Sequence, residues 1–502
     1  MTEIRPIYFA QAYITGEGTL LTWKYRPDTE YAGVSVSAPT LQEPLYAAFP
    51  VNRILLPDGC TGTLQLTAVG NNGERAEAVQ VSLPGIHPLC PEETLPVRPD
   101  IAICPDPAGA YFQKDGKRFT VNGFNFIGLS GKDHSTFEPF EYDPYTTETM
   151  LLQLHGLGYN VVRVFIMGGR NDINPGFSGG PDHNDRTFDS VYMGNVLHFL
   201  RLCRKYDFYV LPNFGDNEIP GNRYYQTLSG GCDRIQVYFH ENAVHAKAVM
   251  VEEFLTAIRQ ADPALLNTLF AVQLQNEFCF SETFPPFDQH EGIYRLYDGS
   301  TYDMADPAAR RALANQAALL YFTKLRETVK AAAPAKLLCE GTFTMAAVGK
   351  SMETAFGFDT GLEDYRLPLS ALEYLRMPLD FLDMHVYCED TDDGEAVFRK
   401  NYANMLLDAE ETAGLLQKKP VIMGEFNSFK PNRRTGDFAM AEKTITALRD
   451  TAMAHGFAGF LIWTADSFWQ PEIWHLMEDG GGFAARLSLL APESAAHCNA
   501  AE

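Results

Sequence analysis

The sequence has few basic residues for its length. It contains 40 lysines and arginines against 64 aspartates and glutamates in 502 residues, a formal net charge of −24. Nucleic acids and anionic membrane surfaces are bound through basic patches. Because the acidic residues are spread along the whole chain, the composition argues against nucleic acid and anionic membrane as partners and favours an uncharged or cationic ligand.

The sequence also has no long apolar stretch and no paired cysteines, and its opening residues predict no secretory leader. No apolar run approaches the roughly 20 residues of a transmembrane helix, and the opening MTEIRPIYFAQAYITGEG has no basic segment followed by an apolar one. Nine scattered cysteines without a CxxC pair predict reduced thiols rather than a disulfide framework or a zinc site. These absences predict a cytoplasmic protein, with secretion as the alternative if an export signal has been removed.

The first 84 residues follow the two-residue period of β-strands. Segments such as TLLTWKYRP (19–27) and TLQLTAVG (63–70) are separated by turn residues, and Asn72-Gly73 predicts a hairpin. About seven such strands without a helical pattern predict a small β-sandwich. The segment resembles a fibronectin type III or related immunoglobulin-like domain, and we expect Trp23 in its core.

The pattern changes after a proline-rich segment. PGIHPLCPEETLPVRPD (84–100) has five prolines, which predict a stiff linker. Beyond it, apolar strands alternate with amphipathic helices, which is typical of a parallel sheet closed into a (β/α)8 TIM barrel. A doubly wound open sheet is the alternative, although no G-x-G-x-x-G follows the first strand. The predicted organisation is a sandwich over 1–84, a linker over 85–100, a barrel over 101–490 and a tail over 491–502.

Polar and aromatic residues collect at one end of the predicted barrel strands. The eight predicted strands are 119–130, 160–167, 208–215, 269–277, 336–343, 381–387, 420–427 and 459–466. In such a barrel the catalytic residues come from the carboxyl ends of the strands. Seven of the eight strands carry candidates there: Arg163, Asn213, Asn276, Glu277, Glu340, His385, Tyr387, Glu425, Trp463 and Asp466. A hydrophobic core alone does not require this pattern.

Two of these candidates are glutamates that can face each other across the barrel mouth. Glu277 closes the fourth predicted strand and Glu425 closes the seventh. Two carboxyl groups about 5 to 5.5 Å apart can cleave a glycosidic bond with retention, one as proton donor and the other as nucleophile. The donor then needs a raised pKa, and the nucleophile needs hydrogen bonds that keep it ionised.

Several short motifs, in strand order, resemble a known enzyme group. They are VVRV (161–164), QNE (275–277), HVY (385–387), GEF (424–426) and LIWT (461–464). Together they resemble the retaining glycosidases of clan GH-A, nearest to glycoside hydrolase family 5. DGKRFTVNGFNFIGL (115–129) is similar to that family's entry into the first strand, where a short β-pair caps the bottom of the barrel. The resemblance spans roughly residues 110 to 480.

The resemblance implies roles for individual residues. Glu277 would be the acid/base and Glu425 the nucleophile. Around the cleaved sugar it implies Asn276 at the 2-hydroxyl, Arg163 and Tyr387 on the nucleophile, His385 lining the subsite and Trp463 as its stacking floor. From their positions near the same end of the barrel, the remaining predicted substrate-binding residues are Asn213, Asp466 and Trp469. Neither a metal ion nor another cofactor is predicted.

Most of these residues also have a structural interpretation. Glu277 and Glu425 could form an ion-pair network with Arg163, and His385 could be a hydrogen-bonded core residue. Glu340 is interpreted first as an ordinary strand-end carboxylate. Trp469 could pack its own loop instead of a sugar face.

The sequence therefore predicts a retaining β-glycosidase. Long loops at 168–190 and 279–307 lie on the active face and favour a pocket, hence exo action on short oligosaccharides or small glycosides. The third-strand segment LPNFGDNE (211–218) is closer to the mannan-active members of the family, so a β-mannoside or β-glucoside is expected. Two alternatives stay open: an endo-acting mannanase or β-glucanase, and a non-catalytic carbohydrate-binding barrel. The oligomeric state is left open as well.

Overall fold

The structure is a computed structural model that describes most of the chain. The described residues are 7–26, 30–90, 93–128, 136–169, 176–180, 182–186, 189–215, 219–232, 234–343, 366–388, 393–429, 438–465, 473–477 and 479–490. Among them, no helix combines the length and the apolar composition needed to cross a membrane. No disulfide joins the eight cysteines that fall within these ranges.

The N-terminal strands form two antiparallel sheets. They are β1 (Ile7–Thr15), β2 (Gly18–Tyr25), β3 (Tyr31–Ser37), β4 (Leu45–Ala48), β5 (Arg53–Leu55), β6 (Thr63–Gly70) and β7 (Val79–Ser82). One sheet has the order β1-β2-β5 and the other β4-β3-β6-β7. Apolar residues of both sheets share one core, in which Trp23 is fully buried. The predicted β-sandwich is confirmed, and Trp23 lies in its core as expected.

A three-stranded sheet closes the bottom of the barrel. Its strands are β8 (Ala102–Cys104), β9 (Tyr111–Lys114) and β10 (Lys117–Phe119), in the order β10-β9-β8. The ring of Phe112 packs 4.9 Å from that of Phe270 and 5.1 Å from that of Phe381, between centroids. The short β-pair expected at this place is therefore part of a larger sheet.

The remaining strands follow in chain order. They are β11 (Val121–Phe126), β12 (Val161–Phe165), β13 (Tyr209–Asn213), β14 (Ala271–Gln273), β15 (Phe280–Ser281), β16 (Ile293–Arg295), β17 (Thr301–Asp303), β18 (Leu337–Thr342), β19 (Arg366–Leu367), β20 (Phe381–Cys388), β21 (Val421–Ser428) and β22 (Gly459–Ile462). Eight of them, β11-β12-β13-β14-β18-β20-β21-β22, form a closed barrel. Every neighbouring pair in it is parallel, including the closing pair of β11 and β22. The predicted TIM barrel is confirmed with its eight strands.

Helices surround this barrel. The α-helices are Pro144–Gly156, Ser190–Lys205, Arg223–Ser229, Glu241–Ala261, Pro307–Ala332, Ala371–Arg376, Gly394–Asn404, Glu410–Leu416, Phe438–Ala454 and Gly482–Leu487, and Arg234–Phe239 and Pro263–Thr268 are 3-10 helices. Side chains at their first turns satisfy backbone N–H groups that the helix leaves without a partner. Asp143, Asp189 and Asp306 accept such bonds at three helix starts.

The sandwich and the proline-rich segment both pack on the barrel unit. The hydroxyl of Tyr13 lies 2.7 Å from that of Thr149 and donates to the carbonyl oxygen of Tyr145 at 2.7 Å. Arg98, from the proline-rich segment, lies 3.7 Å over the ring of Tyr209. The predicted linker therefore runs along the protein surface in contact with the barrel; the domain limits themselves stay predictions.

Candidate active site

A layer of buried polar side chains crosses the barrel. It consists of Asn125, Arg163, Asn213, Gln273 and Asp383, each with 0% of its surface exposed. Two residues earlier on three of these strands, Val161, Leu211 and Phe381 belong to an apolar core at the lower end. Barrel interiors are ordinarily filled by branched apolar side chains. Buried polar groups are costly unless they are hydrogen-bonded, so this layer must be stabilised by its own contacts.

Arg163 is the centre of that layer. Its Nε donates to Oε1 of Gln273 at 2.5 Å, and one terminal nitrogen donates to Oδ1 of Asn125 at 2.8 Å and to Oε1 of Glu425 at 2.5 Å. The other terminal nitrogen donates to Oδ1 of Asn276 at 2.6 Å. The planar guanidinium group is thus fixed in one orientation, and it positions a carboxylate and an amide at the barrel mouth.

Glu425, on β21, has a partner for each carboxylate oxygen. Arg163 donates to Oε1, and the hydroxyl of Tyr387 donates to Oε2 at 2.7 Å. Burial and the nearby negative charge of Glu425 raise the pKa of Tyr387 well above its ordinary value, so the hydroxyl keeps its proton and is a donor. Burial raises the pKa of Glu425, whereas His385 and Arg163 act to lower it. With two donors and an adjacent permanent cation, the geometry is that of an ionised carboxylate.

Glu277 does not close its strand, which corrects the sequence prediction. β14 ends at Gln273, and Glu277 lies beyond it with a backbone φ of 46°. The flanking residues fix this strained left-handed conformation. The N–H of Asn276 donates to the carbonyl oxygen of Gly215, and that of Phe278 to the carbonyl oxygen of Gly341, both at 2.9 Å. The strained residue is therefore held from both sides.

Glu277, His385 and Glu425 meet at the barrel mouth. One carboxylate oxygen of each glutamate and a ring nitrogen of His385 all lie within 4.8 Å of one another. Nδ1 of His385 is 3.0 Å from Oε1 of Glu277 and 3.4 Å from Oε2 of Glu425. Burial lowers the pKa of His385, but the negative charges of Glu425 and Asp383 and the bond to Glu277 raise it to about 10. These surroundings favour the imidazolium form of the ring near neutral pH.

The same three side chains have the spacing of a metal site, but their partners disfavour a bound cation. Both oxygens of Glu425 already accept from Arg163 and Tyr387. A protonated His385 has no lone pair to offer a metal ion. This group of side chains is therefore better described as two carboxylates with the imidazolium of His385 between them than as a binding site for a divalent metal ion.

The remaining predicted substrate-binding residues are not part of the group formed by Glu277, His385 and Glu425. The Asn213 amide donates to Oε1 of Gln273 at 2.8 Å and accepts from the N–H of Gly215 at 2.7 Å, inside the buried layer. Trp463 is 4% exposed and its ring centroid lies 5.9 Å from that of Phe165. Asp466 and Trp469 lie outside the described residues.

Glu340 points away from the barrel interior. It is fully buried on β18, and the next residue, Gly341, faces inward beside Gln273 and His385. Successive strand residues point to opposite faces, so Glu340 faces the surrounding helices. Burial raises its pKa well above the ordinary value, and the charge of Lys247 acts against that rise. Its interpretation as a strand-end carboxylate without a role at the site agrees with this placement.

Three members of the polar layer escaped the sequence prediction: Asn125, Gln273 and Asp383. The available signal was the two-residue period, because Asp383 precedes His385 by two residues on β20 and therefore shares its face. The close contact between Gly424 and Asp383 was not predicted either. A side chain on Gly424, immediately before Glu425, would overlap the carboxylate of Asp383. Glycine at this position leaves the space in which Asp383 lies.

Comparisons with known proteins bear on the fold. Neither a protein-family model nor a curated protein matches the sequence. Among solved structures, an exo-beta-1,4-mannosidase from Opitutaceae bacterium strain TAV5 is 16% identical with a TM-score of 0.50, and the match covers 76% of this chain and 61% of that one. A glycoside hydrolase family 5 mannosidase from Rhizomucor miehei is 14% identical, with a TM-score of 0.48 and coverage of 77% and 96%. An endocellulase from Pyrococcus horikoshii is 15% identical, with a TM-score of 0.42 and coverage of 78% and 100%.

These comparisons concern architecture rather than chemistry. The first likeness is a shared fold at low sequence identity, and this chain spans less than two thirds of that mannosidase's length. The chain is a TIM barrel of the architecture that this glycosidase also has.

Proposed function

We propose that this protein is a retaining β-glycosidase that hydrolyses short β-linked glycosides by double displacement. The observation that carries the proposal is the approach of Glu277 and Glu425, whose nearest functional oxygens lie within 4.8 Å. Retaining enzymes place their two carboxyl groups about 5 to 5.5 Å apart, and inverting enzymes about 6.5 to 9.5 Å apart to admit a water molecule. The separation in this barrel favours retention.

In the first step, Glu425 attacks the anomeric carbon while Glu277 gives its proton to the departing glycosidic oxygen. This breaks the bond between sugar and aglycone and forms a glycosyl ester on Glu425. In the second step, Glu277 takes a proton from water, whose oxygen attacks the same carbon and releases Glu425. The sugar leaves with its original anomeric configuration, and both carboxyl groups return to their starting protonation states.

The neighbouring side chains suit these two roles. Arg163 and Tyr387 donate to the oxygens of Glu425, so they hold the attacking carboxylate in place and in its ionised form. Arg163 also binds the amide oxygen of Asn276, which leaves the NH₂ group of that amide as a donor for a sugar 2-hydroxyl. Such a bond strengthens as positive charge develops on the sugar ring in the transition state. Trp463 would be the stacking floor.

The substrate class is proposed as a β-mannoside or β-glucoside. The third-strand segment LPNFGDNE carries the resemblance to mannan-active enzymes. The exo-beta-1,4-mannosidase with a similar fold makes β-mannosides the first compounds to try. For the sandwich, the sheet orders β1-β2-β5 and β4-β3-β6-β7 support a fibronectin type III-like domain, which we also propose.

A panel of aryl β-glycosides, read by NMR, tests the proposal. The anomeric protons of the first sugar released should be those of the β-anomer, with the α-anomer appearing later by mutarotation. An α-anomer formed first would contradict the retaining mechanism. Binding of oligosaccharides without any hydrolysis across the panel would instead favour the non-catalytic barrel. Hydrolysis of polymeric mannan or β-glucan with a rapid fall in viscosity would favour the endo-acting alternative.

A further inference from the structure

Asp383 is a third carboxylate near the site, below the pair at the barrel mouth. It lies on β20, is fully buried and faces inward two residues before His385. Its Oδ2 accepts from Nε2 of Gln273 at 2.6 Å. The same oxygen is 3.7 Å from Nε2 of His385 and 3.9 Å from Nε of Arg163, which are ion-pair distances. Asp383 thus lies beside Arg163 and His385, on the side of these two residues opposite Glu425.

The position of this carboxylate is fixed. The space on its other side is closed by Gly424, whose own carbonyl oxygen accepts from Nδ2 of Asn125 at 2.9 Å. Within the described part of the chain, Oδ1 of Asp383 and Nε2 of His385 have no hydrogen-bond partner. An isolated buried carboxylate is very costly, so its charge must be offset by nearby cations. Among the described residues, the side chains at ion-pair distance from Asp383 are Arg163 and His385, and His385 is a cation only when it is protonated.

The charged groups around His385 favour its protonated form. Glu277 approaches from the segment after β14, Glu425 from β21 and Asp383 from the same strand as the histidine. Arg163, from β12, is the opposing cation, and the neutral hydroxyl of Tyr387 points to Glu425. Three carboxylates therefore surround one imidazole, and burial alone would have favoured its neutral form.

We propose that Asp383 is a positioning residue that keeps His385 doubly protonated, so that the Nδ1–H group holds Glu277 beside Glu425. This inference rests on the proposed function in so far as Glu277 is the acid/base. Two carboxylates so close together would repel each other, and the imidazolium offsets that repulsion. The Nδ1–H of His385 lies 3.0 Å from the carboxylate of Glu277, and its proton passes along this hydrogen bond to Glu277 as Glu277 protonates the departing glycosidic oxygen. Asp383 acts on the acid/base through His385.

The substitution Asp383→Asn tests this role because it removes the charge and nearly preserves the shape. Protein labelled with ¹⁵N-histidine would be titrated from pH 6 to 10 and its imidazole nitrogens followed by NMR. The chain has 12 histidines, so loss of a signal in a His385→Gln variant assigns the resonance. We expect His385 of the unsubstituted protein to remain an imidazolium at pH 8, and to lose its proton about one pH unit or more lower in the Asp383→Asn protein.

Asp380→Asn is the matched control. Asp380 precedes β20 and pairs with Arg326 at 2.9 Å, in a partly exposed position outside the barrel interior. It should leave the His385 titration unchanged. If Asp383→Asn does not fold, the unsubstituted protein can still overturn the proposal, because a His385 that is neutral at pH 8 contradicts it. An unchanged titration in a folded Asp383→Asn protein also overturns it.

A kinetic measurement separates this inference from the proposed function. On an aryl glycoside, the alkaline limb of kcat/KM should move to lower pH in Asp383→Asn, and not in Asp380→Asn. If the pKa of His385 falls in Asp383→Asn but the alkaline limb of kcat/KM does not move, the link between Asp383 and the acid/base is overturned. A protein without hydrolytic activity on any glycoside would refute the proposed function, whereas the NMR titration would still decide whether Asp383 controls His385.

Discussion

Gly424 and Asp383 are packed so closely that position 424 has no room for a side chain. The carboxylate of Asp383 lies where a Cβ atom would project, and the residue that follows Gly424 is Glu425. A change at this glycine would therefore move a buried charge and a candidate nucleophile together. The relationship links the polar layer of the barrel to the chemistry at its mouth.

The substitution Gly424→Ala should be strongly destabilising. The added methyl group overpacks a rigid interior, at a cost of about 3 kcal/mol, and it displaces the strand that carries Glu425. We expect a lower Tm in calorimetry and loss of most activity. Gly414→Ala is the matched control: it lies in the helix Glu410–Leu416, where a Cβ would meet nothing within 4 Å. Because alanine favours helix by about 1 kcal/mol over glycine, this variant should be as stable or more stable; equal losses in both variants would contradict the packing argument.

Arg163→Lys should strongly lower the proposed hydrolytic activity without removing the positive charge. A lysine ammonium cannot bond Gln273, Asn125, Glu425 and Asn276 at once, as the guanidinium does. We expect kcat to fall by about 100-fold or more, since charged hydrogen bonds of this kind contribute about 1.5 to 3 kcal/mol each.

A surface arginine provides the control for that change. Arg399 pairs with Glu395 one helical turn away, and both side chains are more than half exposed. Such pairs contribute little, so Arg399→Lys should leave kcat and Tm unchanged. Normal kcat in Arg163→Lys would contradict the role of Arg163 on the nucleophile.

Tyr387→Phe should lower activity more than stability. It removes the donor to Oε2 of Glu425, so we expect kcat to fall by about 10- to 100-fold, in proportion to the roughly 1.5 to 3 kcal/mol of a charged hydrogen bond. Tyr159→Phe is the control, because that hydroxyl is also buried and donates to the backbone oxygen of Ala484 at 2.8 Å. Both variants should lose about 1 kcal/mol of stability, and only Tyr387→Phe should lose kcat. Equal kcat in the two variants would argue against Tyr387 as a donor to the nucleophile.

Stability should depend on pH through His385. Its pKa is raised in the folded protein to about 10 from an ordinary value of 6.5. The folded state therefore binds this proton more tightly than the unfolded state does, and the stabilisation is fully present below pH 6.5 and is lost as the pH rises through about 10. The His385→Gln protein lacks this pH-dependent stabilisation. The Tm difference between the two proteins should be largest at pH 6 and shrink towards pH 10; a difference that grows with pH would contradict the raised pKa.

The barrel could be predicted from the sequence because parallel strands buried on both faces appear as continuous apolar runs. VVRVF and GFLI are such runs, and both are barrel strands. The sandwich followed from alternation, as in TLQLTAVG on β6. The predicted strand boundaries were less accurate. The strand predicted over 269–277 is β14, which has only three residues because the chain leaves the sheet after Gln273. Strand length depends on backbone pairing with neighbours, which local composition does not determine.

The site could be predicted only in part. Tyr387 lies next to the end of β20, whereas Glu425 does not close β21 as predicted, because that strand continues to Ser428; both stand out as polar residues within apolar strands. Asp383 also lies within a strand, and its significance depends on contacts with Gln273, which is 110 residues away in sequence, and with Arg163 from another strand. The φ of Glu277 could not be predicted, because contacts from other strands impose it on the residue. Long-range contacts of this kind are absent from local patterns.

The most direct test of the central claim is azide rescue of Glu277→Gly and Glu425→Gly with an activated aryl β-glycoside. Each variant should lose about 100-fold or more of its turnover. Azide should then restore product formation: Glu425→Gly should yield the α-glycosyl azide, because azide replaces the missing nucleophile, and Glu277→Gly should yield the β-glycosyl azide from the glycosyl ester on Glu425. Full turnover in either variant without azide, or the opposite pair of anomers, would contradict the assignment of Glu277 and Glu425.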